Sequence, residues 1–155
     1  MRRRRAPKRD KKTDSKYDSL VIGDLINIIM RDGKKSVSQK IIYDAFDVVE
    51  ERIKEDPLKV FFAALENARP RVAVKPRRIG GATYQVPLEV PKERGISIVL
   101  RWMRDYARNK KGKPMSVKLA DEIIAAYKSE GAVVKKKEDT HKMAEANRAF
   151  AHFRW

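Results

Sequence analysis

Apolar positions recur at helical spacing along most of this chain and change to strict alternation once. Val21, Ile22, Leu25, Ile26 and Ile29 predict a helix over 20–30, with Gly33 as its stop. A second helix is expected from Ser36, where Ser36 and Gln39 have the spacing of a capping box. Its buried stripe is Ile41, Ile42, Ala45, Val49 and Ile53, and its exposed side carries Asp47, Glu50 and Glu51. Asp56-Pro57 predicts an N-cap followed by proline at the first helical position. Val60, Phe61, Ala64, Leu65 and Ala68 bury this third helix, and Pro70 ends it. A fourth runs from Pro91 to about Asn109 on Ile96, Val99, Leu100, Met103 and Ala107. Ser116 caps a fifth, with Val117, Ala120, Ile123, Ile124 and Tyr127 inside and Gly131 at its end. Met143, Ala146, Phe150 and Phe153 continue the same period in a sixth.

Between the third and fourth helices the period becomes two. Val72 and Val74, then Tyr84, Val86, Leu88 and Val90, alternate with polar residues around Gly80-Gly81, which predicts a β-hairpin. A two-residue loop pairs 79 with 82 and sets Val74 against Pro87. A three-residue loop centred on Gly81 pairs 78 with 84, 74 with 88 and 72 with 90, which aligns the apolar residues; this register is expected. Pro76 and Pro87 cannot donate to a ladder, so the hairpin reads as a ribbon with free edges. The fold class is therefore mainly α: a bundle of about six helices with a protruding two-stranded antiparallel β-ribbon at about 71–91. Residues 1–16 are polar and aperiodic and read as a basic, largely disordered arm; 17–155 read as a single helical domain.

Composition narrows the function. At 155 residues and 42% hydrophobic the chain can build a core, which excludes a wholly disordered basic protein. The absence of cysteine excludes disulfides, thiol catalysis and thiolate metal sites. No apolar run approaches the roughly 18–20 residues of a membrane span, and the basic N-terminus lacks the apolar region of a signal peptide, so a soluble intracellular protein is expected.

Charge is placed unevenly. The net +16 comes from blocks: 1–12 carry +7, 69–94 carry +5, 101–118 carry +6 and 132–155 carry +3, whereas 13–68 carry −3. A near-neutral scaffold with basic material added in blocks is the footprint of a polyanion binder. A membrane surface fits less well, because the basic blocks lack a long apolar face on a cationic helix. In the fourth helix Arg94, Arg101, Arg104, Arg108 and Lys111 share a face with no balancing Glu and lead into Lys110 and Lys113. Such stripes are often only solvated surface; here phosphate contact is the stronger reading. The rising strand of the ribbon has Arg69, Arg71, Lys75, Arg77 and Arg78 and no acid.

Enzyme readings fail. Gly33-Lys34-Lys35-Ser36 lacks the leading glycine of a phosphate-binding loop, with Ile28 in its place, and has Lys35 where Ser or Thr is needed. Gly80-Gly81 lacks the strand-to-helix context of a dinucleotide fingerprint. His141 and His152 have no carboxylates at ligand spacing, and Asp121-Glu122 and Glu138-Asp139 read as solvated helix faces. Neither catalysis nor a cofactor is expected. DNA and RNA both fit the charge: a basic ribbon and arm would suit an architectural DNA binder, although no helix-turn-helix pair is apparent. Dispersed cations on arm, ribbon and helix suit several facets of a folded RNA. Trp102, Tyr84 and Tyr106 are candidates for base stacking, with Trp102 more in keeping with a partly buried position beside Ile98.

Three stretches carry a family resemblance: Leu65-Glu-Asn-Ala-Arg-Pro70, Val74-Lys-Pro-Arg-Arg-Ile-Gly-Gly-Ala-Thr-Tyr-Gln-Val-Pro87, and the segment from Lys136 to Trp155, with Gly33-Lys34-Lys35 beside them. They resemble the bacterial form of the ribosomal protein seven family of the small subunit, over essentially the whole chain. The resemblance implies a helical bundle with a protruding ribbon, a cytoplasmic location in the ribosome, and binding to the 3′ major domain of 16S ribosomal RNA, where family members nucleate assembly of the head. It also implies proximity to exit-site transfer RNA and messenger RNA and to small-subunit protein eleven, and in some members repression of their own messenger. On that basis the ribosomal-RNA candidates are Arg2, Arg3, Arg4, Arg5, Lys8, Arg9, Lys11 and Lys12 of the arm, Lys34, Lys35, Arg71, Lys75, Arg94, Arg101, Arg104, Arg108, Lys110, Lys111 and Lys113. The candidates on the transfer-RNA and messenger side are Arg77, Arg78, Gly80, Gly81, Tyr84, Lys142, Met143, Arg148, Arg154 and Trp155.

Overall fold

The computed structural model describes residues 6, 10 and 12–153. Its elements in chain order are α1 (Leu20–Ile29), α2 (Lys35–Ile53), α3 (Pro57–Ala68), β1 (Val72–Ile79), β2 (Ala82–Glu89), α4 (Lys92–Asn109), α5 (Met115–Tyr127) and α6 (Gly131–Ala146), followed by a 3-10 helix, Arg148–Phe153. Helices α1 to α5 bury one stripe each around Ile22, Leu25, Phe46, Phe61, Leu100, Met103, Leu119 and Ile123. The third helix starts as its sequence predicts: the Asp56 side chain accepts from the Leu58 N–H at 3.0 Å, with Pro57 behind it. Trp102 and Tyr106 are partly buried against the core.

Two other helix starts differ from expectation. The α2 helix begins at Lys35, not Ser36, and has no side-chain cap. Asp32 and Gly33, with φ of 51° and 72°, turn the chain early enough that Ser36 is already helical. Ser38 instead donates to the Lys34 carbonyl at 3.3 Å. Ser116 likewise lies inside α5, which starts at Met115 behind Pro114. Nor does Gly131 end α5, which stops at Tyr127; it opens α6. The LENARP stretch finishes the fifth helix from outside, because the Asn67 amide donates to the Ala126 and Tyr127 carbonyls at 3.2 and 2.9 Å.

The ribbon forms where alternation placed it, in the other register. Ile79 pairs with Ala82, Arg77 with Tyr84 and Val74 with Pro87. Gly80 and Gly81 have φ of 56° and 90°, the two successive left-handed residues of a two-residue type I′ turn, whose twist suits a hairpin. Val72 and Val74 consequently do not face Val90 and Leu88. Tyr84 finds apolar partners outside the ribbon, its ring lying 5.0 Å from Phe150 and 5.6 Å from Phe153. The C-terminal period also breaks: α6 buries Val133, Val134 and Ala144, Met143 is 47% exposed, and the aromatic residues belong to the 3-10 helix.

Residues 12–16, grouped with the arm on composition, hold a docked turn. The buried Asp14 carboxylate accepts from the Lys16 and Tyr17 N–H groups and, at 2.7 Å, from the Tyr43 hydroxyl. A Cβ on Gly23 would stand 2.7 Å from the Lys12 carbonyl, so glycine there lets this turn lie on α1.

Candidate nucleic-acid interface

The cationic face of α4 divides into open and engaged side chains. Arg94 and Arg101 are exposed, and so is Lys111 beyond the helix end. Arg104 pairs with Asp105 at 2.7 Å, and that hydrogen bond holds the Asp105 carboxyl below the usual range. The stripe has no balancing Glu, but Asp105, next to Arg104 in sequence, takes up one of its cations. Arg108 turns inward and donates to the Ile29 carbonyl at 2.9 Å, tying α4 to the end of α1. Burial first, then the like charges of Arg31 and Arg104, lower its pKa.

Between α4 and α5 the lysines are not equivalent. Lys110 lies 2.7 Å from Glu122, a carboxylate only 2% exposed, and Lys113 lies 3.2 Å from Asp121. Arg52 reaches the same Asp121 from α2 at 2.6 Å. Burial alone would raise the Asp121 carboxyl, but the hydrogen bonds from Arg52 and Lys113 outweigh it and hold it low. Asp121-Glu122 is thus a structural acidic pair, not the solvated face expected of it, and Lys110 and Lys113 are partly occupied in holding their own loop.

On the ribbon Arg71, Lys75 and Arg78 are exposed and Arg77 is half-buried beside Tyr84. Arg69 leaves the set by pairing with Glu66, whose carboxyl it holds low. The turn glycines Gly80 and Gly81 stand exposed at the tip. The half-buried Tyr84 ring is committed to Phe150 and Phe153, which removes it as a free base-stacking platform. Lys142, Met143 and Arg148 are exposed along α6 and the segment after it. Lys34, Lys35 and Lys12 are exposed as well. The candidates Arg2, Arg3, Arg4, Arg5, Lys8, Arg9, Lys11, Arg154 and Trp155 lie outside the described residues.

Two cations that sequence reading passed over, Arg31 and Lys118, stand with Lys34 and Arg108 around one concavity. Arg31 follows the last turn of α1 and Lys118 lies in the first turn of α5, and only the fold brings them together. His141, dismissed as a metal ligand, has a structural use: its Nε2 accepts from the Arg71 N–H at 3.0 Å. Among the described residues no group of three or more His, Cys, Asp or Glu side chains could hold a metal ion, and no helix is long and apolar enough to cross a membrane.

A protein-family model described as ribosomal protein S7p/S5e matches residues 1–148. The chain is 58% identical to small ribosomal subunit protein uS7 of Thermotoga maritima over 155 residues, covering 100% of both chains. The protein of the same name from Thermodesulfovibrio yellowstonii is 56% identical over 99% of both. That from Thermosipho africanus is 54% identical over 100% of both.

Proposed function

The chain belongs to the ribosomal protein S7p/S5e family, a structural constituent of the small ribosomal subunit and not an enzyme, and from that premise we propose that it is a primary binder of the 3′ major domain of 16S ribosomal RNA. Binding there nucleates the head of the subunit. The observation that carries this reading is a set of exposed cations on separate elements of one rigid scaffold: Lys34 and Lys35 before and at the start of α2, Arg94 and Arg101 on α4, Lys111 beyond it, and Arg71 and Lys75 on the ribbon. Each phosphate neutralised releases counterions, which supplies affinity; the fixed spacing of the cations selects one RNA shape. Lys110, Lys113 and Arg104 contribute mainly by shaping this surface through their acid partners.

The ribbon tip and C-terminal segment form the second half of the proposal. Arg77, Arg78, Gly80 and Gly81, with Lys142, Met143 and Arg148, face exit-site transfer RNA and messenger RNA and lie near small-subunit protein eleven. Tyr84 acts there by bracing Phe150 and Phe153, so that the ribbon and the 3-10 helix present one surface.

The test is a salt series of binding to a 3′ major domain transcript, with duplex DNA and an unrelated structured RNA as competitors. The expected result is tight binding that survives both competitors and weakens with salt at a slope of roughly 0.7–0.9 per phosphate contact. Equal displacement by the transcript and both competitors would reject the target and favour a general architectural binder.

A further inference from the structure

The concavity bordered by Arg31, Lys34 and Lys118 has the make-up of a nucleotide site. It encloses about 360 Å³, within the ~300–1,000 Å³ of small-molecule sites. Its apolar floor is Val37 and Ile41 of α2 and Met115 of α5. Val37 is 53% exposed, unusual for a valine on a helix that otherwise turns its apolar side inward. Around this floor the cations come from separate elements, and none of Arg31, Lys34 and Lys118 has a carboxylate within ion-pair distance among the described residues. Arg108 closes one side, immobilised by its bond to the Ile29 carbonyl and repelled by Arg31 and Arg104. Crowded cations left without an acid are stabilised by an external anion, and an exposed apolar floor beneath them calls for a flat apolar group attached to that anion.

We propose that this concavity receives a single unstacked nucleotide of the bound RNA, its base on Val37, Ile41 and Met115 and its phosphate among Arg31, Lys34 and Lys118. This rests on the proposed RNA-binding role and assigns it a specific subsite. Unstacked bases are the part of an RNA fold that a protein can read individually, by packing on their faces and hydrogen bonding to their edges, which charge alone does not do. The site would thus convert part of the electrostatic attraction into discrimination for a fold that presents a bulged or looped nucleotide at this position.

The experiment compares full-length Val37→Asp, which places a carboxylate where base and phosphate would lie, with Ser129→Asp, which adds the same charge beyond the far end of α5. Circular dichroism first establishes that both fold. Val37→Asp is expected to weaken binding to the 3′ major domain transcript at least about tenfold, through like-charge repulsion, while Ser129→Asp changes it far less. Chemical probing should show one nucleotide whose base is protected by the wild-type protein and by Ser129→Asp but not by Val37→Asp. Arg31→Ala with Lys118→Ala should flatten the salt slope by about one unit. Unchanged affinity and footprint for Val37→Asp, with wild-type binding intact, would overturn the nucleotide site. Failure of the wild-type protein to select the transcript would instead reject the proposed target itself.

Discussion

A carboxylate as deeply buried as that of Glu122 is costly unless a cation stays beside it. Lys110 is that cation, at 2.7 Å from one oxygen, while Oε2 has no hydrogen-bond partner among the described residues. The pair reaches the surface on the lysine side, where the Lys110 side chain is 42% exposed, so solvent screens part of the interaction. Lys110→Ala is therefore expected to destabilise the protein by about 1–3 kcal/mol in urea unfolding. Adding Glu122→Gln should restore much of the loss, since the orphaned charge is then gone. Equal stability of Lys110→Ala and wild type would show that the pair contributes nothing. Lys111→Ala should leave stability alone and weaken RNA binding. Sequence placed all three lysines in one basic run and could not separate them, because the acids that do so lie on the following helix. Arg31 and Lys118 were not legible as a site for the converse reason: they lie 87 residues apart in sequence, and α1, α4 and α5 must pack before they share a site with Arg108. Exposed candidates such as Arg94 and Arg101 were legible because a helical stripe is a local property.

The joint between the ribbon and α6 is titratable. The His141 Nε2 accepts from the Arg71 N–H just before β1, a role only the neutral imidazole can fill. Burial, then Lys137 and Arg71, lower its pKa below the ordinary value. As pH falls, the unfolded chain takes up this proton first. The contribution is therefore complete above about 6.5 and is lost as pH falls from there toward the folded value. Urea unfolding at descending pH should show stability falling in that window, and His141→Gln should flatten the trend by removing the imidazole. An identical trend in the variant would assign it to other groups. The ribbon's existence was written in its alternation and its two prolines; its register was not. Pairing the valines with Leu88 and Val90 assumed that the strands bury each other, whereas the turn glycines set the register and Phe150 and Phe153 cover Tyr84. Helix stripes were likewise readable, but the starts of α2 and α5 were set by a backbone turn and by a proline rather than by the nearby serines.

Across the whole molecule, the acids do as much as the bases to define how an RNA can approach. The net charge is +16, yet residues 13–68 carry −3, and on α2 Asp44, Asp47, Glu50 and Glu51 are all exposed. A phosphate surface is attracted to the α4 side, the ribbon and the start of α2 and repelled from the acidic C-terminal half of α2, which limits the orientations that a non-specific polyanion can adopt. Specificity is the ratio of two affinities, so a feature that weakens wrong complexes improves it without touching the right one. Glu50→Lys with Glu51→Lys adds four units of positive charge near the C-terminal end of α2, about four turns along the helix from Val37. The double variant should bind an unrelated structured RNA about tenfold more tightly at low salt, with a smaller gain for the 3′ major domain transcript, so the competition ratio narrows. Raising the salt should bring the ratio back toward the wild-type value, because the added contacts are purely ionic. If both RNAs gained equally, the acidic face would lie within reach of the bound transcript, and the division of the surface into a binding and a repelling side would be wrong.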